Sequence, residues 1–258
     1  MTVATSILAF AVALFLGMLL LLEVGRRIGI RRQAHDTEGA RAGLGAIEGA
    51  IFALLGLLIA FTFSGAAARF DTRRQLIVEE TNAIGTAYLR LDLLPAASQP
   101  ALREGFRQYV DSRLSVYAKL PDIEAAKAEL ARSNELQSGL WKRAVAACRE
   151  SESPAAGMLL LPAMNQMIDI TTTRTTAAQM HPPLAIFGML GALALAGALL
   201  AGYGMAGGKS RSWIHIVAFA AIMALTVFVI LDIEYPRLGL IRVDAFDQAL
   251  IDLRASMK

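Results

Sequence analysis

The side chains able to do chemistry are few and scattered. His35, His181 and His215 are the only histidines, and no two of them fall within metal-ligand spacing. The HExxH, GxSxG and P-loop patterns are absent, as is any GxGxxG joining a strand to a helix. Gly43-Leu44-Gly45 reads as a loop ahead of an apolar run, not as a phosphate cradle. Cys148 is the single cysteine, which excludes an intrachain disulfide or a cysteine-rich metal site and suits a small packing side chain. No metal or cofactor is expected, and the chain reads as a non-enzyme.

Two polar groups stand out at the edges of apolar runs. The first is Asp169, Thr171, Thr172, Thr173, Arg174, Thr175 and Thr176. Successive threonines point all round a helix, so they cannot all be core. The group suits either interfacial hydrogen bonding, with Asp169 or a first-helix carboxylate pairing Arg174, or the lining of an ion-access vestibule. The second is LDIEYPRLGLIRVDAF, in which Asp232, Glu234 and Arg237 follow the last apolar turn. There Pro236 ends a helix and Gly239 permits a turn. Leu240, Ile241, Val243 and Phe246 offer apolar side chains to dock the tail. A membrane exit, or contacts to ions or a partner, would both use these charges.

Composition says what these groups border. Of 258 residues 55% are hydrophobic and 18% charged, with a mean hydropathy of +0.50. Soluble domains carry about 45–50% apolar and about 25% charged residues. The surplus lies in four runs, 3–22, 47–65, 184–203 and 214–231. Each is close to the ~20 residues that cross a bilayer core. The expectation is an all-α integral membrane protein with four transmembrane helices and a helical-bundle extramembrane insert between the second and third. Its segments are 1–65, 66–183, 184–231 and a tail, 232–258. The first run lacks the flanks of a cleaved signal and is expected to be retained. A net charge of +3 without basic clusters gives no reason to expect nucleic acid.

Flanking charge orients the spans. Arg26, Arg27, Arg31, Arg32, Lys209 and Arg211 favour both termini outside, against Arg69, Arg73, Arg74, Arg237 and Arg242. The margin is narrow. Glu23 and Glu48 fall at span ends, where Glu48 complements a helix N-terminus.

The insert has a helical pattern throughout. Phe70, Ile77, Ile84 and Leu91 fall seven apart, flanked by Ala87, Tyr88 and Leu94. No breaker separates them from the second span, so one helix should leave the membrane and run to Leu94, where Pro95 stops it. A second helix is expected over 100–119, a third carrying Ala126, Leu130, Leu140, Trp141, Val145 and Cys148, and a fourth interrupted or kinked near Pro162. Within the second span Phe52, Leu55, Ile59 and Phe63 share a helical face, and Thr62 and Ser64 can bond to their own helix. Small residues four apart (Gly197/Ala201, Ala198/Gly202, Ala46/Ala50, Gly49/Ala53) permit close helix approach, within the chain or between copies.

The closing segment has an Asp, an aromatic with Pro, a Gly, an aliphatic, a Val and a Phe. It resembles the signature of the bestrophin-like family of bacterial membrane proteins of uncharacterised function. Here the order is Tyr235-Pro236, and Glu234 stands where the family has a small or basic residue. VEETNAIGTAYLRL (78–91) resembles the family's Glu-rich helix after the second span, and the layout of two spans, insert, two spans also matches. The resemblance implies a homo-oligomeric anion channel in the bacterial inner membrane, its pore along the second span. Phe52, Leu55, Ile59, Thr62 and Phe63 would then line it. Asp169, Arg174, Asp232, Glu234 and Arg237 would be the interfacial polar residues. It also implies a cytosolic insert, against the charge count. The alternative is a membrane-anchored scaffold or sensor whose insert binds a protein partner.

Overall fold

The computed structural model describes residues 3–32, 38–207 and 212–257, with side chains for all of these except 38–44. His35, Lys209 and Arg211 lie outside the described residues. The protein is all-α, with helices α1 (Val3–Arg32), α2 (Glu38–Leu89), α3 (Gln99–Ala118), α4 (Ile123–Glu150), α5 (Pro154–Gln179), α6 (Leu184–Gly204), α7 (Trp213–Glu234) and α8 (Gln248–Ser256). Among the described residues four helices are long and apolar enough to cross a membrane, and the four apolar runs fall within them. The chain forms two compact units, Met1–Ala68 with His181–Tyr235, and Arg69–Met180 with Pro236–Lys258.

In the first unit α1 packs along α6 and α7. Glycine makes this contact close: a Cβ on Gly25 would stand 1.9 Å from the Leu199 carbonyl oxygen, and one on Gly202 2.1 Å from that of Leu22. Ala198 and Gly202 therefore serve packing within the chain, as small-residue faces do in lipid. Leu14, Met18 and Leu22 of α1 pack with Leu190, Ala194 and Ala198 of α6 and with Ala220, Val227 and Ile230 of α7. Among the described side chains of α2, only Leu55 and Ala66 are fully buried in this core.

The second unit is a bundle of the α2 extension, α3, α4, α5 and α8. The seven-residue seam is real packing: Ile77, Ile84 and Leu91 are buried, with Tyr88 edge-on to Phe106. The α-helix ends at Leu89, a 3-10 turn follows over Arg90–Leu93, and Leu94 is extended, as the residue before a proline prefers. Asp122 caps α4 by accepting from the Ala125 N–H at 3.0 Å.

Several expectations need correction here. Residues 43–45 are helical rather than a loop. α5 is one helix from Pro154 to Gln179; Pro162 does not interrupt it, because Pro162 and Met158, whose carbonyl loses its bond, are both exposed to solvent. The buried face of α4 is rotated toward polar residues, Glu129, Ser133 and Gln137, while Leu130, Trp141, Val145 and Cys148 are half-buried. Glu129 earns its place by accepting from Ser112 Oγ (2.7 Å) and Lys119 Nζ (2.6 Å). In the tail, Leu240 and Ile241 are exposed; Val243, Leu250 and Met257 dock it, with Phe246 beneath the Arg74 guanidinium at 4.3 Å.

Candidate functional site

α2 presents two opposite faces within the first unit. One carries Phe52, Leu55, Ile59, Thr62 and Ala66, which follow the three-and-four spacing of a helix stripe. Leu55 is only 2% exposed and, with Phe52, packs over Gly197. The Phe52 ring meets Phe219 edge-on at 6.2 Å. Thr62 donates to the Leu58 and Ile59 carbonyls at 2.8 and 3.0 Å, so its hydroxyl is satisfied on its own helix. Of the five residues expected to line a path, four thus lie on the stripe turned into their own protomer. Only Phe63, 45% exposed, does not.

The opposite face carries Ala46, Ala50, Ala53, Leu57, Ala60 and Ser64, all exposed. Gly45, Gly49 and Gly56 lie alongside, with no atom within 4 Å of where a Cβ would stand. Only 6% of the apolar window of α2 is buried within the protomer, against 28–33% for the other spans. Hydropathy did not separate these faces because both are apolar; Leu54, Leu57 and Phe61 are exposed on the outward side together with the small residues.

The second unit gathers a buried ionic cluster. Glu80 of α2 is fully buried and accepts from Arg113 Nε of α3 at 2.5 Å and from Arg174 Nη1 of α5. Arg174 Nη2 also donates to Asp247 Oδ1 at 3.3 Å. Asp247 in turn accepts from Arg237 Nη2 at 2.7 Å, and Arg237 reaches Asp244 at 2.9 Å. The Tyr117 ring lies within 4.0 Å of Arg174, 4.4 Å of Arg237 and 5.4 Å of Arg113, measured to its centroid. Burial alone would push the Glu80 carboxyl up, but the charges of Arg113 and Arg174 outweigh it and hold Glu80 below the usual carboxylate range. Burial pushes the nearby Tyr109 phenol up to about 12. That phenol is bonded to Thr171 Oγ1 at 2.9 Å.

The partner of Arg174 is therefore Glu80, on the first helix of the insert, together with Asp247, and not Asp169. Asp169 faces the other way, into an open groove of about 610 Å³ with Glu79, Asn82, Asn165 and Gln166. Arg113 and Asp247 were not singled out by sequence. Arg113 had left a signal: it is a charge on the same α3 face as Phe106, Tyr109 and Val110.

Asp232 and Glu234 are both buried in the first unit, whereas Arg237 belongs to the ionic cluster of the second. Glu234 Oε1 lies 3.2 Å from His181 Nδ1, whose ring stacks on Tyr235 with centroids 4.4 Å apart. This pairing joins residues 53 positions apart and had no local signature. Among the described residues no group of three or more His, Cys, Asp or Glu could hold a metal ion.

A family model, the Bestrophin-like domain, matches residues 9–245. The chain belongs to the Bestrophin-like family. Its fold is shared by solved structures of a bacterial bestrophin homologue from Klebsiella pneumoniae. One single-substitution variant is 14% identical with a TM-score of 0.65 over 95% of this chain and 98% of that one. A second structure of that homologue is 16% identical with a TM-score of 0.65 over 92% and 97%. A further structure, described as a membrane protein, is 14% identical with a TM-score of 0.60 over 93% and 98%. No curated protein matches the chain. The bestrophin-like resemblance of the closing segment and of 78–91 thus extends over nearly the whole sequence.

Proposed function

We propose that this Bestrophin-like protein is a multi-pass protein of the bacterial cell membrane that assembles from several identical copies and conducts small anions along α2. The exposed small-residue face of α2 carries the reading. A face turned to lipid gains nothing from alanine and glycine, whereas small residues let helices of neighbouring copies approach or leave width for an aqueous path. Ala53, Leu57, Ala60 and Ser64 would border that path, with Phe63 at its flank. The candidates Phe52, Leu55, Ile59 and Thr62 then support it from behind. The anion preference is what the likeness to bestrophins implies; Arg73, bonded to the Ala177 and Met180 carbonyls, and Arg74, paired with Asp71, are already engaged and do not supply it.

Four spans from one chain leave little room for an aqueous path, so the oligomer is the first requirement. Native mass spectrometry of the protein in nanodiscs should give a single ring-sized assembly, and liposomes containing it should pass chloride. Ser64→Asp should reduce chloride flux relative to cation flux, while Leu55→Val should leave selectivity unchanged. A monomer in mild conditions, or flux indifferent to Leu57 and Ser64, removes the reading.

A second reading, a membrane-anchored scaffold, has one observation in its favour. Leu89, Met158 and Leu159 are exposed apolar side chains, and Arg90 Nη1 ties the α2 end to the Leu159 carbonyl at 2.5 Å. A protein partner docking there would be lost on Met158→Lys, with flux untouched.

A further inference from the structure

We propose that the insert joins neighbouring copies of this chain head to tail, an acidic groove between α2 and α5 of one copy receiving the basic face of α3 and α4 of the next. The inference rests on the reading that identical copies assemble, and it names a second surface through which they do so.

The acidic groove, about 610 Å³, is lined by Glu79, Asn82 and Thr86 of α2 and by Asn165, Gln166 and Asp169 of α5. Glu79 and Asp169 are its charged residues, and both are exposed. No basic side chain lines it, and the Asp169 carboxylate has no bonding partner among the described residues. Acids on the facing sides of two helices, without a cation between them, suit a surface that a cationic partner covers.

The second unit carries such a surface elsewhere. A smaller groove of about 270 Å³ runs between α3 and α4, lined by Arg132, Glu135 and Arg143 with Gln108. Arg132 and Arg143 stand about three helical turns apart and so share one side of α4. Arg143 has no bonding partner among the described residues. Arg132 reaches only Glu129, at 3.5 Å, and Glu129 already accepts from Ser112 and Lys119. Two guanidiniums against the single carboxylate of Glu135 leave this face positive, as Glu79 and Asp169 leave the other negative.

The signs dictate the arrangement. A two-fold contact through either groove would set it against its own copy and oppose like charges. Unlike faces attract only when one copy follows another, and such a series closes into a ring. Exposed ion pairs add little affinity, so these faces choose register and partner while contacts in lipid hold the copies together.

The test uses the full-length protein in mild detergent, with the assembled fraction followed on dilution by native mass spectrometry at low ionic strength. Reversing the acidic groove, Glu79→Arg with Asp169→Arg, should raise the half-assembly concentration about tenfold. Reversing the basic face, Arg132→Glu with Arg143→Glu, should do the same. A chain carrying all four reversals has unlike faces again and should return toward wild type, a recovery that mere loss of stability does not give. Assembly indifferent to either reversed pair overturns the proposal, as does a fourfold variant no better than the pairs. Should a reversed pair fail to fold, Asp169→Asn and Arg143→Gln decide: each should reduce the salt sensitivity of assembly, and unchanged sensitivity overturns the proposal. A monomeric wild type removes the multi-copy reading itself, whereas a wild-type ring that survives every reversal removes this inference alone.

Discussion

Replacing Glu80 by Gln tests whether the ionic cluster is held by charge or by shape. Glutamine has nearly the same volume and keeps one carbonyl oxygen, so packing around Ile77 and Ile84 need not change. What changes is that Arg113 and Arg174 lose the carboxylate that both of them bond. Half-buried Asp247 is then left to Arg174 and Arg237, and Arg113 keeps no carboxylate among the described residues. Breaking a buried ion pair from one side leaves charge unmatched and costs about 3–5 kcal/mol. For a chain of this length that is a fall of roughly 6–20 °C in thermal midpoint. Glu124→Gln is the control: it removes a pair with Lys127 at 2.8 Å, but both side chains are exposed and the change should be slight. The pH dependence is the sharper readout. The folded-state pKa of Glu80 lies below its unfolded value, so its contribution is complete above the ordinary carboxylate pKa of about 4.3. That contribution is lost as pH falls through the lower, folded value. Glu80→Gln should therefore flatten the acid limb of the stability curve. A variant whose midpoint stays near wild type, or whose acid limb runs parallel to it, refutes the account.

Four further substitutions probe other parts of the fold. Gly202→Ala places a Cβ where only 2.1 Å separates it from the Leu22 carbonyl oxygen, so α1 and α6 must part. The cost should be at least the ~1–3 kcal/mol of overpacking, read as a lower midpoint in thermal unfolding. Gly139→Ala, on α4, meets nothing within 4 Å and should instead stabilise by about 0.5–1 kcal/mol in the same assay. Leu250→Ala removes a fully buried anchor of α8 and should cost about 2–5 kcal/mol. Arg254→Ala, which loses a two-point bond to exposed Asp111 at 2.7 and 3.0 Å, should cost far less; equal losses would contradict docking by apolar burial.

The parts of this fold legible in the sequence are those written in local periodicity. The spans were visible as runs of apolar residues, and the unusual length of α2 as a seven-residue seam without a breaker before Pro95. The tail's turn at Pro236 and Gly239 was also legible. The ionic cluster was not, because Glu80 finds Arg113 and Arg174 across 33 and 94 positions, and no local pattern records such a distance. The rotation of α4 was hidden for a related reason. Glu129 and Gln137 look like surface residues until Ser112, Lys119 and Tyr109 are brought to them by α3.

The orientation of α2 within its unit was hidden for a different reason. In water, hydropathy marks the inward face of a helix, because the outward face must be polar. In lipid both faces can be apolar, and the stripe of Phe52, Leu55 and Ile59 carries no more hydropathic information than its opposite. The large side chains of the stripe fill the space left by Gly197 of α6, which fixes the orientation of α2 within its own unit. That leaves Ala46, Ala50, Ala53, Ala60 and Ser64 outward. Leu57 and Ser64 stand on this outward side, beside the exposed Leu54 and Phe61, where the proposed assembly would place a neighbouring copy. This is why Leu57 and Ser64, not Leu55, are the positions at which substitution should be felt in flux.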